Sequence, residues 1–246
     1  MADAGEGLRT RRYQRRWGSD HAEVHGSGQQ EVMKTPLLIL GCGGHGRVVA
    51  DAALDCGYEE IAFLDDRYDA LPGPVPFPVL GAMKMMSALV DRWPTAIVAI
   101  GDGRRRLALF HDLKRAGYAT PSIVHPSAVI SRGARLGEGV FIAAGAIINT
   151  GAKIADAVIV NTGARIDHDC EIGDGTHIAP GVTLSGAVIV GATSWIGTGS
   201  SVKQDIRIGD DVTIGVGAAV VKHIPNPGTY VGVPARRQDK RKDGRA

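Results

Sequence analysis

The sequence predicts an α/β domain followed by an all-β parallel β-helix, and three observations carry that prediction. An aliphatic residue recurs at every sixth position from Ile130 to Val220. Ahead of that stretch, short apolar runs alternate with helix-compatible segments around a glycine-rich loop. Glycine accounts for 34 of 246 residues while aromatic residues make up only 5%, a composition suited to a core of small aliphatics joined by many tight turns.

The α/β part begins with the strand-like run Leu37–Leu40, which leads into Gly41-Cys42-Gly43-Gly44-His45-Gly46 and then helix-compatible Val48–Cys56. A second strand, Ile61–Leu64, ends at Asp65-Asp66. A Pro-rich loop, Pro72 to Pro78, precedes a helix near Ala82–Arg92. The third strand, Ala96–Ile100, ends at Gly101, and a helix near Arg104–Ala116 follows. Strands separated by helices imply parallel βαβ units. At about 90 residues this is half a dinucleotide fold, enough for one mononucleotide.

The rhythm of the second part is Ile130, Leu136, Ile142, Ile148, Ile154, Val160, Ile166, Ile172, Ile178, Leu184, Val190, Ile196, Val202, Ile208, Ile214 and Val220. Two residues before each stands a small or β-branched residue in most repeats, such as Ala146, Cys170, Thr176 or Ser194. Three residues after comes a turn former, Gly at 145, 163 or 181 and Asp at 169, 205 or 211. Each flat face then reads as one short strand and each corner as a tight turn, with stacked coils supplying the core.

These patterns divide the chain into an extension over 1–36, an α/β domain over 37–125, a β-helix over 126–223 and a tail over 224–246. The extension has no periodicity and reads as disordered, with Met33 as the natural start. It carries six Lys/Arg and five Asp/Glu, and the last eleven residues carry six Lys/Arg and two Asp, so the body between is near −3 against +2 overall. An acidic body makes a poor phosphate-backbone track, so no nucleic-acid partner is expected. Cys42, Cys56 and Cys170 are unpatterned, which suggests neither a disulfide framework nor a zinc cluster, and no metal site is expected. No apolar run approaches the ~20 residues of a membrane helix. The Arg-rich start lacks an apolar signal region. A cytoplasmic protein with no membrane partner is the expectation.

Within the repeat, Ile166 points inward, so His168 falls at a corner, outside the core. An imidazole there, with an ordinary pKa near ~6.5, suits proton transfer at neutral pH, and an adjacent carboxylate such as Asp169 can fix its tautomer. The plainer alternative makes His168 an exposed turn residue and Asp169 a residue tolerant of left-handed φ. His177 precedes inward Ile178 and should point outward from a face. It lies about half a coil from His168, too far to touch it within one chain. The front loop fits G-x-G-x-x-G between strand and helix, where glycines let backbone approach a phosphate at a helix N-terminus. Asp65 lies about 20 residues on, where such folds place a ribose-binding acid. Cys42 has no paired base and fills space, Cys170 is an inward small residue, and Trp195 projects outward, as at a subunit interface.

The repeat resembles the left-handed β-helix of hexapeptide acyltransferases. Together with the G-C-G-G-H-G loop and the closing Val231-Gly232-Val233-Pro234-Ala235-Arg236, the stretch Met33–Arg237 is similar to bacterial sugar acetyltransferases of the bacillosamine, perosamine and sialic-acid pathways. The resemblance implies left-handed coiling with three hexapeptides per coil, roughly five coils, and a homotrimer holding acetyl-CoA between neighbouring β-helices. It implies His168 as general base with Asp169 raising its basicity, where bacillosamine-type members often carry Glu. It places acetyl-CoA at His177, Gly186, Thr198 and the backbone of Val216; turn geometry and packing are the competing reading for the last three. Gly43, Gly44, His45, Asp65, Asp66 and Gly101 would hold a nucleotide sugar. The implied reaction is acetyl transfer from acetyl-CoA to the amine of a nucleotide-linked amino sugar. O-acetylation of sialic acid or another sugar hydroxyl is the near alternative. A zinc carbonic anhydrase on the same fold needs three convergent imidazoles, two of them five residues apart, and the repeat has no such pair. A non-catalytic solenoid would be indifferent to His168→Ala.

Overall fold

A computed structural model describes residues 35–71 and 73–238. The extension over 1–36, except its last two residues, lies outside the described residues, as do Pro72 and the basic stretch beyond Gln238.

Strands β1 (Leu37–Leu40), β2 (Ile61–Leu64) and β3 (Thr95–Val98) form a parallel sheet in the order β2-β1-β3. Their near-continuous apolar runs are buried on both faces, as covered parallel strands require. Helix α1 (Gly44–Asp55) opens inside the glycine loop, earlier than the expected Val48, because Gly43 is extended and serves as its N-cap. The expected helix near 82–92 is a single 3₁₀ turn, Met83–Met85, followed by short α2 (Met86–Leu89). Helix α3 (Gly103–Arg115) is capped by Asp102, whose carboxylate accepts the Arg105 N–H at 2.8 Å.

From Ile123 onward the chain winds into a parallel β-helix with an 18-residue coil. Each rung pairs with the rung 18 residues away: Phe141 with Ile159, Arg165 with Thr183, Glu171 with Ile189. Among the described residues the β-helix forms three sheets of eight, six and five strands. The coil makes six turns, one more than the hexapeptide rhythm suggested. Ile123–Val124 and Gly228–Val231 pair onto the ends of the first sheet; Val124 falls in phase six residues before Ile130, while Gly228–Val231 carries no clean repeat. Part of the stretch read as a tail is thus a sheet edge, closed by Arg236–Arg237 running antiparallel to Gly228–Val231.

The sixfold rhythm becomes the core directly. Ile142, Ile148, Ile154, Val160, Ile166, Ile172, Ile178 and Leu184 are at most 1% exposed, each contributing about 1.5–3 kcal/mol of burial. Inward hydroxyls are satisfied by backbone carbonyls, Thr176 donating to Gly191 at 2.6 Å and Ser194 to Gly209 at 2.9 Å. Corners take left-handed φ at Gly145, Gly163 and Gly181, and also at Asp169, Asp205 and Asp211.

The α/β domain covers the outer side of the first sheet. Ile123, Phe141 and Ile159 belong to the same apolar cluster as Val49, Ala53 and Phe63. Beside that seam lies Arg106 of α3, 1% exposed. All five of its N–H groups point at carbonyl oxygens: Ala157 (2.8 Å), Ile100 (2.6 Å), Gly101 (2.9 Å), Gly175 (2.5 Å) and Thr176 (3.3 Å). Among the described residues no carboxylate forms an ion pair with it. Burial draws its pKa down to about 10.

Candidate active site

The fold sets the predicted residues at four locations: the glycine loop, the seam beneath it, and two edges of the β-helix.

In the loop, the glycines divide by cause. A Cβ on Gly46 would meet the Gly41 carbonyl oxygen at 2.0 Å, so the loop's own packing demands glycine there. Gly43, Gly44 and Gly101 have nothing within 4 Å of the position a Cβ would take. Internal packing does not explain these three, which leave bare backbone open at the N-terminus of α1 and in the loop after β3. Asp65 is buried and already engaged, accepting the Cys42 N–H at 3.0 Å and the Arg67 N–H at 2.9 Å. Burial alone would raise its pKa, but those amides outweigh it and hold the carboxyl below its usual value. Asp66 accepts the Met83 N–H and pairs with Arg105 at 2.7 Å. Asp65 braces the glycine loop, whereas Asp66 ties the end of β2 to Met83 and to α3. Cys42 is buried with its thiol pushed up to about 11, first by burial and then by Asp65, consistent with a space-filling residue. Cys170 is buried likewise.

At the seam, His45 from the start of α1 meets the outer side of the first sheet. Its ring stands edge-on to Phe141 at 5.3 Å between centroids and 6.3 Å from His177. Trp195, one coil on, packs edge-on against His177 at 6.4 Å, so its own chain half-covers it. Asn161 fixes the His177 tautomer. Its carbonyl oxygen accepts the Thr162 N–H at 2.8 Å, which turns its amide nitrogen toward His177 Nε2 at 3.1 Å. Nε2 is therefore the acceptor, and Nδ1 carries the proton. That Nδ1 and His45 Nε2 are buried without a partner among the described residues. Burial first, then the Arg106 charge, lowers His45 to about 4 and His177 to about 3. Both rings are neutral at physiological pH.

The corner after Ile166 is built differently. Asp167 accepts the His168 N–H and the Asn149 side-chain amide, each at 2.8 Å. Asp169, at φ 59°, turns the chain and also receives His168 Nδ1 at 2.9 Å. Both readings of Asp169, turn residue and carboxylate partner, hold together. One coil up lies Gly186, where a Cβ would stand 2.5 Å from His168 Cε1 and Nε2. The imidazole lies over the gap that this glycine leaves. The Asp169 hydrogen bond, then the charges of Asp167, Asp169 and Asp205, raise the His168 pKa. With Nδ1–H directed to Asp169, Nε2 offers its lone pair, and the side chain is 56% exposed.

Thr198 and Val216 lie on another edge, stacked one coil apart, with Val216 71% exposed. A whole face, including Arg165–Ile166 and Thr183–Leu184, separates that edge from His168. One chain thus brings His168 together with Gly186, and His177 together with His45. It does not bring His168 and Gly186 to Thr198 or Val216. Arg106, Asn149, Asn161 and Asp167 were not anticipated. Asn149 and Asp167 are 18 residues apart, so aligning the repeat by coil instead of by hexapeptide exposes that pair. Among the described residues no three His, Cys, Asp or Glu are grouped to hold a metal ion, and no helix is long and apolar enough to cross a membrane.

A glycine-loop α/β domain packed on a hexapeptide β-helix defines a sugar acyltransferase of the hexapeptide class. Residues 36–113 match the PglD N-terminal domain family and 151–186 the bacterial transferase hexapeptide family. The acetyltransferase domain of PglB from Neisseria gonorrhoeae is 38% identical over 83% of this chain and all of its own length, with a TM-score of 0.79. The same domain has been solved with acetyl coenzyme A, at 39% identity over 82% of this chain and 98% of its own, again at 0.79. PerB from Caulobacter crescentus, solved with CoA and GDP-perosamine, is 37% identical over 83% of this chain and 97% of its own, also at 0.79. The chain belongs to this family of hexapeptide-repeat sugar acetyltransferases.

Proposed function

We propose that this protein transfers the acetyl group of acetyl-CoA to the amine of a nucleotide-linked amino sugar, with His168 as general base. The observation that carries the reading is the His168 ring seated over Gly186, its Nδ1 on Asp169 and its Nε2 free. Full-length likeness to proteins solved with acetyl-CoA and with GDP-perosamine supports both halves of the reaction. The acceptor nitrogen attacks the thioester carbonyl carbon while His168 Nε2 takes its proton. The C–S bond breaks, and the imidazolium returns the proton to the leaving thiolate. Asp169 and Asp167 stabilise the imidazolium between these steps.

The nucleotide lies on the glycine loop, its phosphates against Gly43, Gly44 and the N-terminus of α1, with Gly101 alongside; Asp65 holds that loop in shape, and Asp66 stands next to it on Met83 and Arg105. His45 and His177 lie beneath it. Acetyl-CoA occupies a groove between copies in a homotrimer, because His168 and Gly186 stand on one edge and Thr198 and Val216 on another. The face between those edges presents Val129, Ile147, Thr183, Ser201 and Ala219, small or apolar groups suited to a subunit contact, with Arg165 as its one charge. Farther along the His168 edge, Lys203 and Lys222 line an open groove together with Asp205 and His223, and the two ammonium groups suit the CoA phosphates. The cytoplasm, where acetyl-CoA is made, is the compartment this reaction needs.

The test is release of free CoA thiol with a panel of nucleotide amino sugars and with sialic acids. Turnover of an amino sugar supports N-acetylation, and turnover of sialic acid alone moves the assignment to a hydroxyl acceptor. Binding of acetyl-CoA with no acceptor turned over sinks the sugar reading.

A further inference from the structure

Arg106 is explained by neither reaction partner. A buried guanidinium without a carboxylate is costly to hold, yet this one is saturated, and its acceptors are not scattered. Ile100 and Gly101 belong to the loop after β3, which faces the glycine loop. Ala157 and Gly175 are corners of successive coils, and Thr176 immediately precedes His177. One side chain therefore ties the nucleotide side of the seam to the strand that carries His177. Gly103, three residues before it, lets α3 reach this place: a Cβ there would meet the Gly175 carbonyl oxygen at 2.5 Å.

We propose that Arg106 is a positioning residue that fixes the Gly101 loop against the His177 strand, so that the nucleotide-binding and acetyl-transfer halves of the site keep one spacing. The inference rests on the transfer reading above, but its geometry is independent of the acceptor. The planar fork makes the role specific to arginine, since no other side chain offers five N–H donors. A second consequence follows from charge. The groups facing His177 are Asn161, Trp195, His45 and Arg106, and those facing His45 are Phe141, His177 and Arg106. Arg106 is the lone cation among them, and its field adds to burial in keeping both imidazoles neutral, with His177 Nδ1–H available as a donor.

Arg106→Lys and Arg106→Met separate geometry from charge. The full chain would be assayed for KM and kcat per folded molecule, and the histidine rings titrated by NMR. Arg106→Lys keeps the cation but not the fork: the KM for the nucleotide sugar should rise about tenfold or more while His45 and His177 remain neutral to low pH. Arg106→Met should also let both histidines titrate nearer the ordinary imidazole value. Folded variants with wild-type KM, kcat and histidine titrations overturn the proposal. So does failure of both variants to fold, which would make the arginine purely structural. If the wild type itself turns over no acceptor, the transfer reading fails while the histidine titrations still judge the electrostatic coupling.

Discussion

His168 and His177 are nine residues apart in the same repeat, yet the fold drives them in opposite directions. His177 occupies the outward position of a strand whose face is covered by the α/β domain, so desolvation and Arg106 hold it neutral. His168 follows its strand by two residues, at an exposed corner among Asp167, Asp169 and Asp205, so its protonated form is favoured. Phase within a six-residue period, more than residue type, decides which imidazole can exchange protons and which can only donate or accept a fixed hydrogen bond.

The widest gap between the two should appear on truncation. His168→Asn should lower kcat by about 10³-fold or more, with stability changed by no more than ~0.5 kcal/mol because the side chain is exposed; steady-state kinetics and thermal unfolding read both. Gly186→Ala drives a methyl group into the imidazole of His168 and should lower kcat about 10–100-fold by displacing the ring. Acetyl-CoA affinity, measured by calorimetry, separates that effect from lost binding. Asp169→Asn removes the group that raises His168. The base acts in its neutral form, so the rate rises with pH through its pKa, and the acid limb should move to lower pH. The high-pH plateau should fall by about tenfold as the tautomer loosens. The smallest effect belongs to the seam. His45 and His177 have folded pKa values near 4 and 3, below the unfolded value, so their contribution to stability is present above ~6.5 and is lost progressively as pH falls below it. His177→Asn should flatten the fall in melting temperature between pH 7 and 5 by about 5 °C or less.

Much of this was legible in the sequence because the β-helix writes its geometry into a short period. Inward positions such as Ile166 and Cys170, the corner at His168 and the turn at Asp169 all follow from counting by six. The glycine loop was equally legible as a strand–turn–helix motif. Three features were not. The closing rung depends on Gly228–Val231, which pairs by backbone without a repeat to betray it. The convergence of His45 on His177 depends on which face the α/β domain covers, and no local pattern encodes that. Arg106 reads as one of three consecutive arginines on a helix, and only tertiary packing separates it from its exposed neighbours Arg104 and Arg105. The single-chain fold also divides the predicted acetyl-CoA residues between two edges, and this is why the reading needs a second copy.

The account's central claim is that ionisation of His168 gates the rate. It is tested most directly by placing the pH profile of kcat/KM beside the NMR titration of the His168 ring in the same protein. The two midpoints should coincide, above the ordinary imidazole value. A rate that stays flat through the His168 midpoint, or titrates elsewhere, would contradict the claim.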